Sequence, residues 1–257
     1  MTQKLKRLLL AAVPTSALLT LPSIASAASA SLDPKDSVGI SFWIISIAMV
    51  AATVFFFMEA GKMTPKWRTS VVVSGLVTLV AAVHYFYMRD VWVATGTSPT
   101  VFRYVDWLIT VPLLMVEFYF ILAAVGLATM KVFWNLLIGT LVMLLGGYCG
   151  EVGIINPSAG FIIGMAGWFY ILYYIFAGDA GKAMANASEA VQTAFKTMRM
   201  IVLIGWAIYP LGYLLGYMMG SIDANALNLI YNLADFVNKI AFGLMVWAAA
   251  SSESEKA

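Results

Sequence analysis

One cysteine, Cys149, and one histidine, His84, are all that this 257-residue chain holds of either type. A disulfide framework, a thiolate zinc site and a Cys-His nucleophile pair are therefore excluded. Charge is scarce as well. Only 11% of residues are charged and 62% are hydrophobic, whereas soluble domains carry roughly a quarter charged residues. The balance is that of a polytopic membrane protein. The formal charge of +2 is small and the basic residues are scattered, which argues against a nucleic-acid surface.

Residues 1–28 carry Lys4, Lys6 and Arg7, then an apolar run broken by Pro14, then Ala25, Ser26 and Ala27. This is the pattern of a cleavable signal peptide, with cleavage after Ala27 or Ala30. The run is too short to cross a hydrocarbon core of about 30 Å. Residues 29–257 then form a single domain with seven apolar stretches, near 38–60, 69–92, 101–126, 131–150, 159–178, 197–219 and 226–250. Each is long enough to span as a helix, so the expected fold is an all-α bundle of seven transmembrane helices. Lys62, Lys66, Arg68, Lys131, Lys182, Lys196, Arg199 and Lys256 fall on one side, against Lys35 and Arg89 on the other. The positive-inside rule then puts the mature N-terminus outside and the C-terminus in the cytoplasm. In that topology the glycosylation-like Asn186-Ala187-Ser188 is cytoplasmic and is set aside.

Ionisable side chains well inside the stretches are few: His84 in the second, Arg103, Asp106 and Glu117 in the third, Asp235 and Lys239 in the seventh. Each is costly there unless paired or facing a cavity, so each is a functional candidate. Glu59, Asp90, Glu151 and Asp179 sit at stretch ends, where solvated charge is the ordinary reading. Asp235 and Lys239 are one helical turn apart, on one face. They form either a structural ion pair or a site where a desolvated lysine amine makes a Schiff base with a carbonyl ligand. The second reading removes the cost of burying two charges. In the third stretch, Asp106 and Glu117 are eleven residues apart, which returns to nearly one face about 16 Å along the axis. Lys239 falls between them in depth. Opposite charges on Arg103 and Lys239 are expected to hold Asp106 ionised, while apolar surroundings keep Glu117 neutral, making one an acceptor and the other a donor.

The run 103–117, Arg-Tyr-Val-Asp-Trp-Leu-Ile-Thr-Val-Pro-Leu-Leu-Met-Val-Glu, and the run 232–239, Asn-Leu-Ala-Asp-Phe-Val-Asn-Lys, resemble the microbial rhodopsins, and within them the proteorhodopsin group. The resemblance extends through all seven stretches. It implies that Lys239 binds all-trans retinal covalently as a protonated Schiff base, with light isomerising the chromophore to 13-cis. By the same resemblance Asp106 is the primary acceptor and counterion, Asp235 the second counterion, Arg103 the arginine beneath them, and Glu117 the cytoplasmic donor. Asp106, Thr110 and Glu117 together match the proton-pump signature rather than that of chloride or sodium pumps. His84 lies near the depth of Asp106 and resembles the histidine that hydrogen-bonds the acceptor and tunes its proton affinity; without the family it reads as a satisfied core histidine. Trp107, Trp206, Tyr209, Pro210 and Tyr213 resemble the residues that sandwich retinal, although aromatics at such positions otherwise signify packing. Leu114 stands where leucine accompanies green absorption and glutamine blue, so green is expected.

The implied function is a light-driven outward proton pump, not an enzyme, in the bacterial inner membrane. Two readings compete with it. A sensory photoreceptor signalling to a transducer shares the fold, but a carboxylate at the donor position argues against it. A seven-helix receptor or transporter without retinal leaves Lys239 unexplained. Besides retinal, protons and lipid, the resemblance suggests ring-shaped pentamers or hexamers and admits a carotenoid antenna. Gly146, Gly147 and Gly150 are the small residues that offer close helix approach for such assembly. A pump also needs an access switch, commonly in helix six, where Pro210 allows a kink.

Overall fold

A computed structural model describes residues 32–256; the signal peptide expected over residues 1–28 lies outside the described residues. Among those described, seven helices are long and apolar enough to cross a membrane: α1 (Ser37–Ala60), α2 (Pro65–Thr95), α3 (Thr100–Ala124), α4 (Met130–Glu151), α5 (Pro157–Met184), α6 (Glu189–Met218) and α7 (Ala224–Ser254). Every helix begins before its apolar stretch does, because backbone hydrogen bonding continues where side chains turn polar. Local chemistry sets the ends. Pro65 and Pro157 occupy first turns, where a missing N–H costs nothing. Asp36 accepts from the Gly39 N–H at 2.9 Å and Asp223 from the Ala226 N–H at 2.8 Å, satisfying free helix-start donors. At the far end of α2, Gly96 takes φ 64°, a left-handed turn that favours glycine.

The bundle is apolar outside and encloses a cluster of polar and charged groups within an apolar core. Met58, Ile162, Ile204 and Leu233 are 62–67% exposed, whereas Arg103, Asp106, Glu117, Asn232, Asp235 and Lys239 are 3% exposed or less. Lipid makes an apolar exterior inexpensive, so the buried polar groups are the ones that require partners. They lie on α3 and α7, with α2 beside them.

Helices α4 and α5 meet through glycine. A Cβ on Gly160 would lie 2.6 Å from the Gly150 Cα, and one on Gly146 would lie 2.6 Å from an Ile163 side-chain carbon. A Cβ on Gly147 would meet the Tyr104 hydroxyl at 2.7 Å. The close approach that Gly146, Gly147 and Gly150 allow is therefore used within the chain. It does not offer a surface for assembly, which corrects the basis on which they were first singled out.

Two helices are interrupted. Regular α5 ends at Phe176 and resumes over Asp179–Met184. In α6, the regular run Glu189–Met200 passes into a π segment, Ile201–Gly205, then a short helix, Ile208–Tyr213, and a second π segment, Leu214–Met218. The sixth apolar stretch reads as continuous because hydropathy does not register a lost N–H such as that of Pro210.

Candidate functional site

Turn spacing on α3 and α7 aims Asp106, Asp235 and Lys239 at one another. The Lys239 ammonium contacts Asp106 Oδ2 and lies 3.1 Å from Asp235 Oδ2. The two carboxylates are not equivalent. Asp235 also accepts from the Tyr85 hydroxyl at 2.8 Å, the Tyr209 hydroxyl at 2.6 Å and the Trp107 indole N–H at 3.2 Å. Asp106 receives Lys239 on one oxygen, while its Oδ1 has no hydrogen-bond partner among the described residues. A carboxylate with four donors has its charge well solvated by protein, whereas one with an open oxygen retains a lone pair for an incoming proton.

Two placements differ from expectation. Arg103 does not pair with Asp106. Its guanidinium donates to Asn228 Oδ1 at 2.8 Å, Asn232 Oδ1 at 2.9 Å and the Tyr85 hydroxyl at 3.3 Å, because those α7 acceptors lie nearer its reach. His84 Nδ1 lies 3.8 Å from Asp106 Oδ1, beyond hydrogen-bond range, and 2.9 Å from Val80 O on its own helix. Thr110 likewise donates to the backbone, at 3.0 Å from Asp106 O.

Glu117 is fully buried and apart from this cluster. Its Oε1 accepts from the Ser74 hydroxyl of α2, and Oε2 has no partner among the described residues. One turn earlier, the Ser70 hydroxyl is buried and also without a partner among the described residues. Hydroxyls on α2 therefore lead from the carboxyl toward the end of the bundle where α2 starts.

Beside Lys239 is a cavity with about 780 Å³ of space not filled by atoms, part of it open to the outside. Trp107, Leu114, Trp206, Tyr209, Pro210 and Tyr213 all line it, although their spacing alone is equally consistent with packing. It extends from Lys239 to Met143 on α4 and Gly164 on α5. Sequence reasoning missed Tyr85, Trp168, Asn238, Ser74 and Glu151. Glu151 was set aside as a helix-end charge, yet it accepts from the Tyr104 hydroxyl at 2.8 Å and lines the same cavity. Its position alone could not reveal this, since the tyrosine comes from another helix.

Fold and site together define a multi-pass membrane protein with a buried amine held between two carboxylates beside an aromatic cavity. The family model described as bacteriorhodopsin-like protein matches residues 36–253, and the chain belongs to that family. It is 54% identical over 241 residues to the blue-light absorbing proteorhodopsin of Gamma-proteobacterium Hot 75m4, covering 93% of this chain and 96% of that one. The same identity, over 240 residues and the same shares, relates it to the green-light absorbing proteorhodopsin of Gamma-proteobacterium EBAC31A08. Among solved structures, xanthorhodopsin, described as a light-driven ion pump with dual chromophore, superposes with a TM-score of 0.77 at 29% identity, covering 88% of this chain and 97% of that one.

Membership of this family implies a retinal chromophore, and the residues present fit one. The cavity walls are mostly apolar and aromatic, and one primary amine enters it. Apolar walls suit a polyene, and the amine is the group that condenses with an aldehyde.

Proposed function

We propose that this chain is a light-driven outward proton pump of the bacterial inner membrane, its N-terminus outside, holding all-trans retinal through a Schiff base to Lys239. When bound, retinal supplies light absorption and a change of shape that alters the proton affinity of the Lys239 nitrogen. The chain's own groups do the rest. Lys239 Nζ gives its proton to Asp106, in contact with it and carrying an open oxygen. Asp235, held by Tyr85, Tyr209 and Trp107, keeps its charge and fixes the amine's position. Glu117, fully buried, holds a proton until Lys239 Nζ needs one and refills past Ser74.

The observation that carries this reading is the unequal solvation of the two carboxylates. It gives the departing proton one destination. Relatives named as proteorhodopsins and a neighbour named as a light-driven ion pump support it. Leu114, lining the cavity, supports green absorption by resemblance. A pentameric or hexameric ring and a carotenoid antenna rest on the resemblance alone. The test is pH recording of illuminated cells that express the protein with retinal, alongside Asp106→Asn and Lys239→Ala. Acidification in the unaltered protein and none in either variant is expected. Acidification that survives either change overturns the assignment, and slow retinal cycling without acidification favours a sensory photoreceptor.

A further inference from the structure

In a regular helix each carbonyl accepts from the N–H four residues on. Several α6 amides do otherwise, two of them just before Pro210. The Trp206 N–H reaches Ile201 O at 3.0 Å, a five-residue step, and the Tyr209 N–H reaches Trp206 O at 3.1 Å, a three-residue step. The second diversion follows from Pro210, which has no N–H to give Trp206 O, so Tyr209 serves that carbonyl instead. Each diversion withdraws the regular donor from another carbonyl: Val202 O in the first case, Gly205 O in the second.

Buried carbonyls deprived of a partner are costly in a membrane, where water is not at hand. Both are met by side chains from other helices. The Trp168 indole N–H of α5 donates to Val202 O at 3.1 Å, and the Asn238 amide of α7 donates to Gly205 O at 3.1 Å. Gly205 makes the second bond sterically possible, since a Cβ there would collide with Asn238 Oδ1. Asn238 also donates to the Tyr209 hydroxyl at 3.4 Å, which in turn donates to Asp235. Trp168 and Asn238 both line the cavity that Lys239 enters.

We infer that Trp168 and Asn238 are positioning residues for transport. They latch the break in α6 to α5 and α7, and a change of shape in the cavity that draws them off the two carbonyls frees the Glu189–Met200 part of α6, opening the side from which Glu117 refills. The transport role rests on the proposed pump, but the latch is a property of the polypeptide and is measurable without pigment. The experiment is hydrogen–deuterium exchange, read by mass spectrometry, on the full chain in lipid nanodiscs without retinal. It compares unaltered protein with Asn238→Leu and Trp168→Phe, each removing the donor. Loss of one net hydrogen bond is expected to speed exchange in peptides covering 201–209 by roughly three- to tenfold, with α1 peptides unchanged. With retinal, both variants are expected to change the rate of the late refilling stage.

Unchanged exchange at 201–209 in Trp168→Phe overturns the latch, whether or not the protein pumps. Should Asn238→Leu not fold, Trp168→Phe alone carries the test. Faster exchange with no light-driven acidification in the unaltered protein would leave the latch standing and remove the pump. Faster exchange with an unaltered late stage overturns the transport role.

Discussion

Replacing each of the two carboxylates at Lys239 by asparagine separates structural from chemical roles. Asp235 accepts four donors across its two oxygens: Tyr209 and Trp107 on one, Tyr85, Trp107 and Lys239 on the other. A neutral amide at best turns four charge-assisted bonds into ordinary ones, and hydrogen bonds to charged groups exceed neutral ones by about 1 kcal/mol each, giving a destabilisation of roughly 4 kcal/mol. Asp106 receives one such bond, from Lys239, so Asp106→Asn costs only about 1 kcal/mol. The stability order is thus expected to be Asp106→Asn above Asp235→Asn, read by thermal unfolding in detergent without retinal. The pumping result is expected to be different in kind, because Asp106→Asn leaves the amine no open carboxylate and abolishes light-driven acidification. A variant at Asp106 that is destabilised as much as one at Asp235, or that still pumps, would refute the reasoning.

Lys239→Ala removes the amine and leaves two carboxylates facing each other, so no visible band is expected on adding all-trans retinal; a band in this variant rules out attachment at Lys239. The unaltered protein is expected to absorb in the green and Leu114→Gln to move the maximum toward the blue; a blue maximum before substitution defeats the assignment for Leu114. Ser74→Ala deprives Glu117 of its one hydrogen-bond donor and is expected to alter the last stage of the light cycle several-fold, since a buried group without a partner costs about 1–3 kcal/mol; flash photolysis unchanged by the substitution removes Ser74 from the path. Gly160→Val forces α4 from α5, where even a Cβ would stand 2.6 Å from the Gly150 Cα. Overpacking of this kind costs typically 1–3 kcal/mol, or more against backbone, and a melting temperature within a degree of the unaltered protein would contradict the packing.

Much of this molecule is legible in one dimension. Seven apolar stretches dictate seven spans because hydrocarbon tolerates only internally bonded backbone, and that rule acts on each segment separately. Lys239 declares itself because a charge that deep is rare. Its partner Asp235 follows from helical spacing alone, one turn away. What the sequence cannot express is which side chains from different helices meet. Arg103 reads as the neighbour of Asp106 along α3, yet its guanidinium turns to Asn228 and Asn232 of α7. Gly146, Gly147 and Gly150 read as an outward surface until α5 and Tyr104 are seen to occupy the space. Glu151 reads as a solvated end until Tyr104 bonds to it. The unequal solvation of Asp106 and Asp235 depends on Tyr85, Trp107 and Tyr209, contributed by three helices, and the break in α6 is closed by Trp168 and Asn238 from two more. Burial cost is a property of one residue and its depth, so sequence determines it. Hydrogen-bond satisfaction is a property of pairs, and only the packing of the helices decides it.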